Sequence, residues 1–263
     1  MKKKITAIAL AVCILVIGVV GATMSYFTDT KTATNTFTFG NGVKIDLTEE
    51  SKGADATGTT PKIYGADTDP TVVVAKTGGT GYDYKLVLPG LVYSKKPVIT
   101  VDSDSGDCWL VATVNIPHKD ILYEIYDGTE VDHGTWLSLA GSAALVKGGI
   151  SDYTATGAVY NGITGNKLTD SLGADVAFVA YSEDDTSITY TYYFYGKQAA
   201  GKSYTLFETV QIPTGLTQEM LDTDNNGTID VASLDMTVKA YAIQAEGFDN
   251  AKVAYETAFP SGN

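Results

Sequence analysis

The chain has 263 residues, 44% of them hydrophobic and 19% charged, with a formal net charge of −13 and no arginine. This balance belongs to a globular protein and excludes a disordered chain or a membrane-embedded bundle. A basic patch for nucleic acid is absent, and the acidity favours solubility and cation binding.

Lys2, Lys3 and Lys4 make a positive start, Ile5 to Val20 an apolar run, and Gly21 to Ser25 a stretch of mostly small residues. Together they read as a secretory signal peptide over 1–25, with cleavage expected before Tyr26. The run is shorter than the about 20 residues of a typical spanning helix, so membrane contact is expected only before cleavage. Cys13 would leave with the signal, and Cys108 would then have no disulfide partner. Cys108 sits in the run Cys108-Trp109-Leu110-Val111 and reads as a small buried hydrophobe.

Residues 26–42 form an N-terminal segment rich in Thr, with Tyr26, Phe27, Phe37 and Phe39 and no charge apart from Asp29 and Lys31. Such a segment suits addition to the edge of a neighbour's sheet, where backbone bonds give affinity and alternate side chains fill pockets. It is a candidate donor strand. Burying its three phenylalanines would contribute on the order of 5–8 kcal/mol before ordering costs.

Residues 43–263 read as one domain. Val43, Ile45 and Leu47 alternate with Lys44 and Asp46, as a half-buried strand requires. Further strands are expected at Thr71–Ala75, Tyr84–Leu88, Val98–Val101, Trp109–Ile116, Asp175–Tyr181, Ser187–Tyr195, Ser203–Ile212 and Leu234–Ile243. Thr48 to Asp69 reads as a long loop, and Gly134 to Lys167 as an irregular insertion. A short helix is expected over Thr214–Leu221, with Thr214 or Thr217 as cap, and a terminal helix over Phe248–Phe259 with Asp249 near its start. Many strands with turn punctuation indicate an all-β fold, a jelly-roll-like β-sandwich with a few short helices.

The chemistry-bearing residues are sparse. His118 and His133 are too far apart for a helical two-histidine zinc site, and His118 follows a proline in a loop-like stretch. A Gly-x-Ser-x-Gly nucleophile motif is absent, so no enzyme is expected. Asp222 to Asp230 matches the first nine positions of a calcium loop. Asp222, Asp224, Asn226 and Asp230, with the Thr228 carbonyl, would ligate Ca2+. The twelfth position is Ser233 rather than a bidentate Glu, and a plain Asn-Gly turn with exposed acids is the other reading. Asp102, Asp104 and Asp107 read as a solvated loop. The run Tyr190, Tyr192, Tyr193, Phe194, Tyr195 reads as aromatic packing on two faces of a strand rather than a sugar platform.

Several segments, in order, resemble the TasA and camelysin family of Gram-positive exported proteins. They are Tyr26-Phe27-Thr28-Asp29-Thr30, Thr34 to Thr38, Val43 to Leu47, Tyr84 to Gly90 with Lys96 to Val101, Asp107 to Val114, and Ala240 to Phe248. The resemblance implies processing by the signal peptidase SipW and a jelly-roll-like sandwich at the cell exterior. TasA-like members are biofilm-matrix fibre subunits, so a secreted homopolymer is expected. The camelysin name implies a metalloendopeptidase, which these residues do not support; a monomeric surface adhesin is a third reading. The end of the chain carries no sortase signal, so the product is expected to be released or held non-covalently.

Overall fold

The computed structural model describes residues 28–31, 42–54, 62–77, 79–85, 88–125, 146–147, 156–160, 163–169, 174–222 and 235–260. Among them the chain is mostly β, with several antiparallel sheets and two short helices. The strands are β1 (Thr28–Lys31), β2 (Ile45–Glu50), β3 (Ile63–Tyr64), β4 (Val73–Ala75), β5 (Tyr82–Tyr84), β6 (Val92–Ser94), β7 (Lys96–Val101) and β8 (Cys108–Pro117). They continue as β9 (Val146–Lys147), β10 (Thr156–Tyr160), β11 (Ile163–Thr169), β12 (Asp175–Glu183), β13 (Ser187–Phe194), β14 (Ser203–Thr205), β15 (Thr209–Gln211) and β16 (Thr237–Gln244). Helix α1 is Lys119–Ile125 and α2 is Ala251–Ala258.

The largest sheet runs β1-β16-β8-β13-β12-β11-β10. Beside it stand a three-stranded sheet, β14-β7-β2, a four-stranded sheet, β3-β6-β15-β9, and the pair β4-β5. Pairing is antiparallel except between β3 and β6. The long inner strands explain why β8 is a continuous apolar run rather than an alternating one. Its Leu110, Ala112 and Val114 share a core with Tyr190, Tyr192 and Phe194 of β13 and with Ile45 and Ile99 of β2 and β7. Its Trp109 and Val111 face the other way, against Tyr193, Tyr241 and the Ala251 and Ala254 face of α2. Successive side chains leave opposite faces of a strand, and here both faces are covered. Each fully buried Leu, Ile, Val or Phe contributes about 1.5–3 kcal/mol.

Helix α2 closes the outer face. Asn250 begins it, its Oδ1 accepting from the Val253 amide at 3.0 Å. Tyr255 then lies 5.0 Å from the ring of Tyr241 and 5.4 Å from Phe259. The Trp109 indole donates to the Phe248 carbonyl at 3.3 Å, tying the helix entry to β8.

Several local expectations change. The terminal helix starts at Ala251 rather than Phe248, and its cap is Asn250, which holds the extended backbone a cap needs. Ser203–Ile212 is two strands: β14 pairs with β7, β15 with β6, and the buried Leu206 and Phe207 carry the chain between sheets. Thr214–Leu221 forms only a 3-10 turn at Glu219–Leu221, with the Thr217 hydroxyl accepting from Met220 N at 3.3 Å. Pro213 and Gly215 leave too short a stretch to nucleate a helix. Within Thr48–Asp69, Thr48 to Glu50 complete β2, and β3 pairs with β6; residues 55–61 lie outside the described ones. Within Gly134–Lys167 the chain contributes β9, β10 and most of β11, and β10 and β11 form a hairpin on the large sheet. The stretch after Pro117 is helical, as α1. The strand expected at Tyr84–Leu88 is β5, ending at Tyr84, and residues 86–87 lie outside the described ones.

Candidate assembly edge and the cavity at its end

β16 is joined to β8 along its whole length, from Thr237 opposite Asn115 to Gln244 opposite Cys108. Its other side is met by β1, with Thr28 opposite Ile243, Asp29 opposite Ala242, Thr30 opposite Tyr241 and Lys31 opposite Ala240. β1 has 4 residues and β16 has 8. Among the described residues, no strand pairs with the outer side of Thr237, Val238 and Lys239. Backbone amides and carbonyls along such an edge are the groups to which another strand adds.

At this end of β16, Asp235, Met236, Thr237 and Val238 open on a cavity of ≈570 Å³. Its apolar walls come from elements far apart in the chain, among them Leu47 of β2, Ile116 of β8, Ile121 of α1 and Val210 of β15. One wall is polar. Lys95 Nζ lies 2.7 Å from Glu49 Oε2, and only 11% of either side chain is exposed. The Tyr84 hydroxyl lies 2.9 Å from the Ser94 carbonyl and 3.3 Å from Glu49 Oε1, two acceptors for its one proton. Burial, and then the Glu49 charge, push the Tyr84 phenol above its ordinary range, so it stays a neutral donor. The carboxylate and ammonium neutralise each other, which leaves the wall without net charge.

His118 lines the same cavity and holds a left-handed φ of 57°, the one non-glycine residue with positive φ among those described. It is the pivot between β8 and α1: Leu122 N donates back to its carbonyl at 3.3 Å. Histidine tolerates this conformation better than a β-branched residue would.

The sequence-predicted sites fare as follows. Tyr26, Phe27, Phe37 and Phe39 lie outside the described residues, as do Asp224, Asn226, Thr228, Asp230 and His133. Asp222 is described, and its amide closes the 3-10 turn on the Glu219 carbonyl. Asp104 is exposed and meets Lys44 at 2.5 Å. Among the described residues no three His, Cys, Asp or Glu side chains are grouped to hold a metal ion. Cys108 is fully buried, and burial, with Asp107 nearby, pushes its thiol up to about 12, far from a reactive thiolate. Tyr190, Tyr192 and Phe194 are buried on one face of β13 and Tyr193 on the other, as packing on both faces requires. Sequence reasoning missed Glu49, Lys95 and the cavity. A separation of 46 residues follows no motif spacing, and Glu49 fell in a stretch read as loop.

No family model, no curated protein and no solved structure matches the chain.

Proposed function

We propose that the chain is a secreted structural subunit of extracellular matrix or surface fibres, assembled by donation of its N-terminal segment to the sheet of a neighbour. The observation that carries this is the pairing of Thr28–Lys31 with β16. The segment following the expected cleavage point has the backbone register of a strand on that edge, and an edge filled by one chain's own segment can be filled by another's. Exchange between copies is head-to-tail, does not close, and so makes filaments. The resemblance to the TasA and camelysin family points the same way, and a jelly-roll-like arrangement of the sheets belongs to the same proposal.

The test compares the exported chain with one starting at Gly42, by size-exclusion chromatography and negative-stain microscopy. The first forms filaments and the second stays monomeric with an unchanged far-ultraviolet spectrum. Filaments from both would put the contact on the body of the domain and end the donation reading.

A further inference from the structure

The N-terminal segment alternates strictly. Thr occupies positions 28, 30, 32, 34, 36 and 38, and between them stand Asp29, Lys31, Ala33, Asn35 and Phe37, with Phe39 next. A period of two sustained this far is that of a strand with two unlike faces. The register of β1 on β16 runs from Thr28 opposite Ile243 to Lys31 opposite Ala240. Continued without a slip, it sets position 33 against Val238 and position 35 against Met236. Ala242, Ala240, Val238 and Met236 all lie with the main core, and the last two line the cavity. Phe37 and Phe39 are in phase with these positions, because cross-strand partners share a face.

A chain cannot deliver these residues to its own cavity while β1 lies on its own β16. The Gly42 carbonyl accepts from Gly106 N, and the neighbouring Asp107 carbonyl accepts from Ala245 N, so Gly42 sits level with the far end of β16. From the cavity end back to that level is roughly 35 Å of strand. The five residues from Phe37 to Gly42 span at most about 18 Å. A second copy is free of this limit. Its Gly40-Asn41-Gly42 follows Phe39 directly, and glycines let the chain turn out of a groove.

We propose that the cavity at the Met236 end of β16 takes Phe37 and Phe39 of a second copy of this chain, whose preceding residues pair along the whole of β16. This rests on the strand-donation reading and adds its register and its anchor. The cavity, ≈570 Å³, lies within the roughly 300–1,000 Å³ of pockets that bury ligands. Its polar wall is internally neutralised, so aromatic rings meet no unpaired charge there. The Ala245 end of each subunit then abuts the Met236 end of the next.

Two cysteine pairs test it in the full exported chain. Lys31→Cys with Ala240→Cys reports the pairing of β1, and Asn35→Cys with Met236→Cys reports its extension. Antiparallel partners stand ~4.5–5.5 Å apart at Cα, which suits a disulfide. The buried Cys108 gives little background. Asp29→Cys with Ala242→Cys replaces the first pair if the Ala240 variant melts early under reducing conditions. After mild oxidation, both pairs give a ladder of covalent multimers on a non-reducing gel. Adding Phe37→Ala and Phe39→Ala to the second pair lowers the ladder at least about tenfold, since each buried Phe carries a large share of the contact. A ladder from the first pair and none from the second, or a second ladder undiminished by the alanines, overturns the cavity proposal and leaves strand donation standing. Internally closed monomers from both pairs, or no cross-link from either, overturn both.

Discussion

Glu49 and Lys95 are 46 residues apart, yet their carboxylate and ammonium meet at 2.7 Å with 11% of each side chain exposed. Breaking such a pair from one side strands a largely buried charge without its partner, at about 3–5 kcal/mol. Lys95→Met and Glu49→Leu are therefore each expected to lower stability by that order, and the double variant by clearly less than the sum. Urea unfolding of the four proteins measures the coupling; additive losses would show that the two groups do not stabilise one another.

Asp184 follows β12 and caps the turn into β13. It accepts from Thr186 N at 2.8 Å, Ser187 N at 2.7 Å and the Ser187 hydroxyl at 2.9 Å. These bonds, the Thr186 amide first, lower its pKa from 3.8 to about 2. The folded state thus favours the carboxylate. The stabilisation is complete above the unfolded value near 3.8 and disappears as pH falls through about 2. Asp184→Ala should melt earlier than the parent at pH 6, with the gap closing between pH 4 and pH 2. A gap that does not change with pH would place the effect elsewhere.

Gly53 and Gly65 let two backbone segments cross. A Cβ on Gly65 would lie 2.0 Å from Gly53 N, whereas one on Gly79 would meet nothing within 4 Å. Gly65→Ala is expected to cost about 1–3 kcal/mol, as overpacking against backbone does, and Gly79→Ala almost nothing. Equal midpoints in urea for the two variants would contradict the close approach.

Asn250→Ala removes the side-chain acceptor from Val253 N. The expected loss is about 0.5–2 kcal/mol. Because α2 covers Tyr241 and Tyr193, the near-ultraviolet aromatic signal should melt with the rest of the protein, not before it. A separate early aromatic transition would mean that the helix is not integral to the outer core.

Some of the candidate site was legible in the residues. The Thr-rich, Phe-bearing N-terminal segment stood out as strand-forming, and β1 lies within it. The run around Cys108 read as buried, and the tyrosines of β13 as two-faced packing, as they are. In each case the signal was a local period that says which face a residue takes. The cavity gave no such sign, because its walls are drawn from β2, β8, α1, β15 and the approach to β16.

The existence of β2, β7, β8, β12, β13 and β16, the two-faced burial of β8 and β13, and the terminal helix were determined by the amino-acid sequence itself. Each depends on side-chain periodicity and on cap chemistry within a few residues. Only the tertiary structure decided that 203–212 divides between two sheets, that 156–169 forms a hairpin on the large sheet, and that β1 lies on β16. Hydrogen-bond partners of a strand are chosen by register and topology. An alternating segment fits many edges equally well until the rest of the chain has left one of them open.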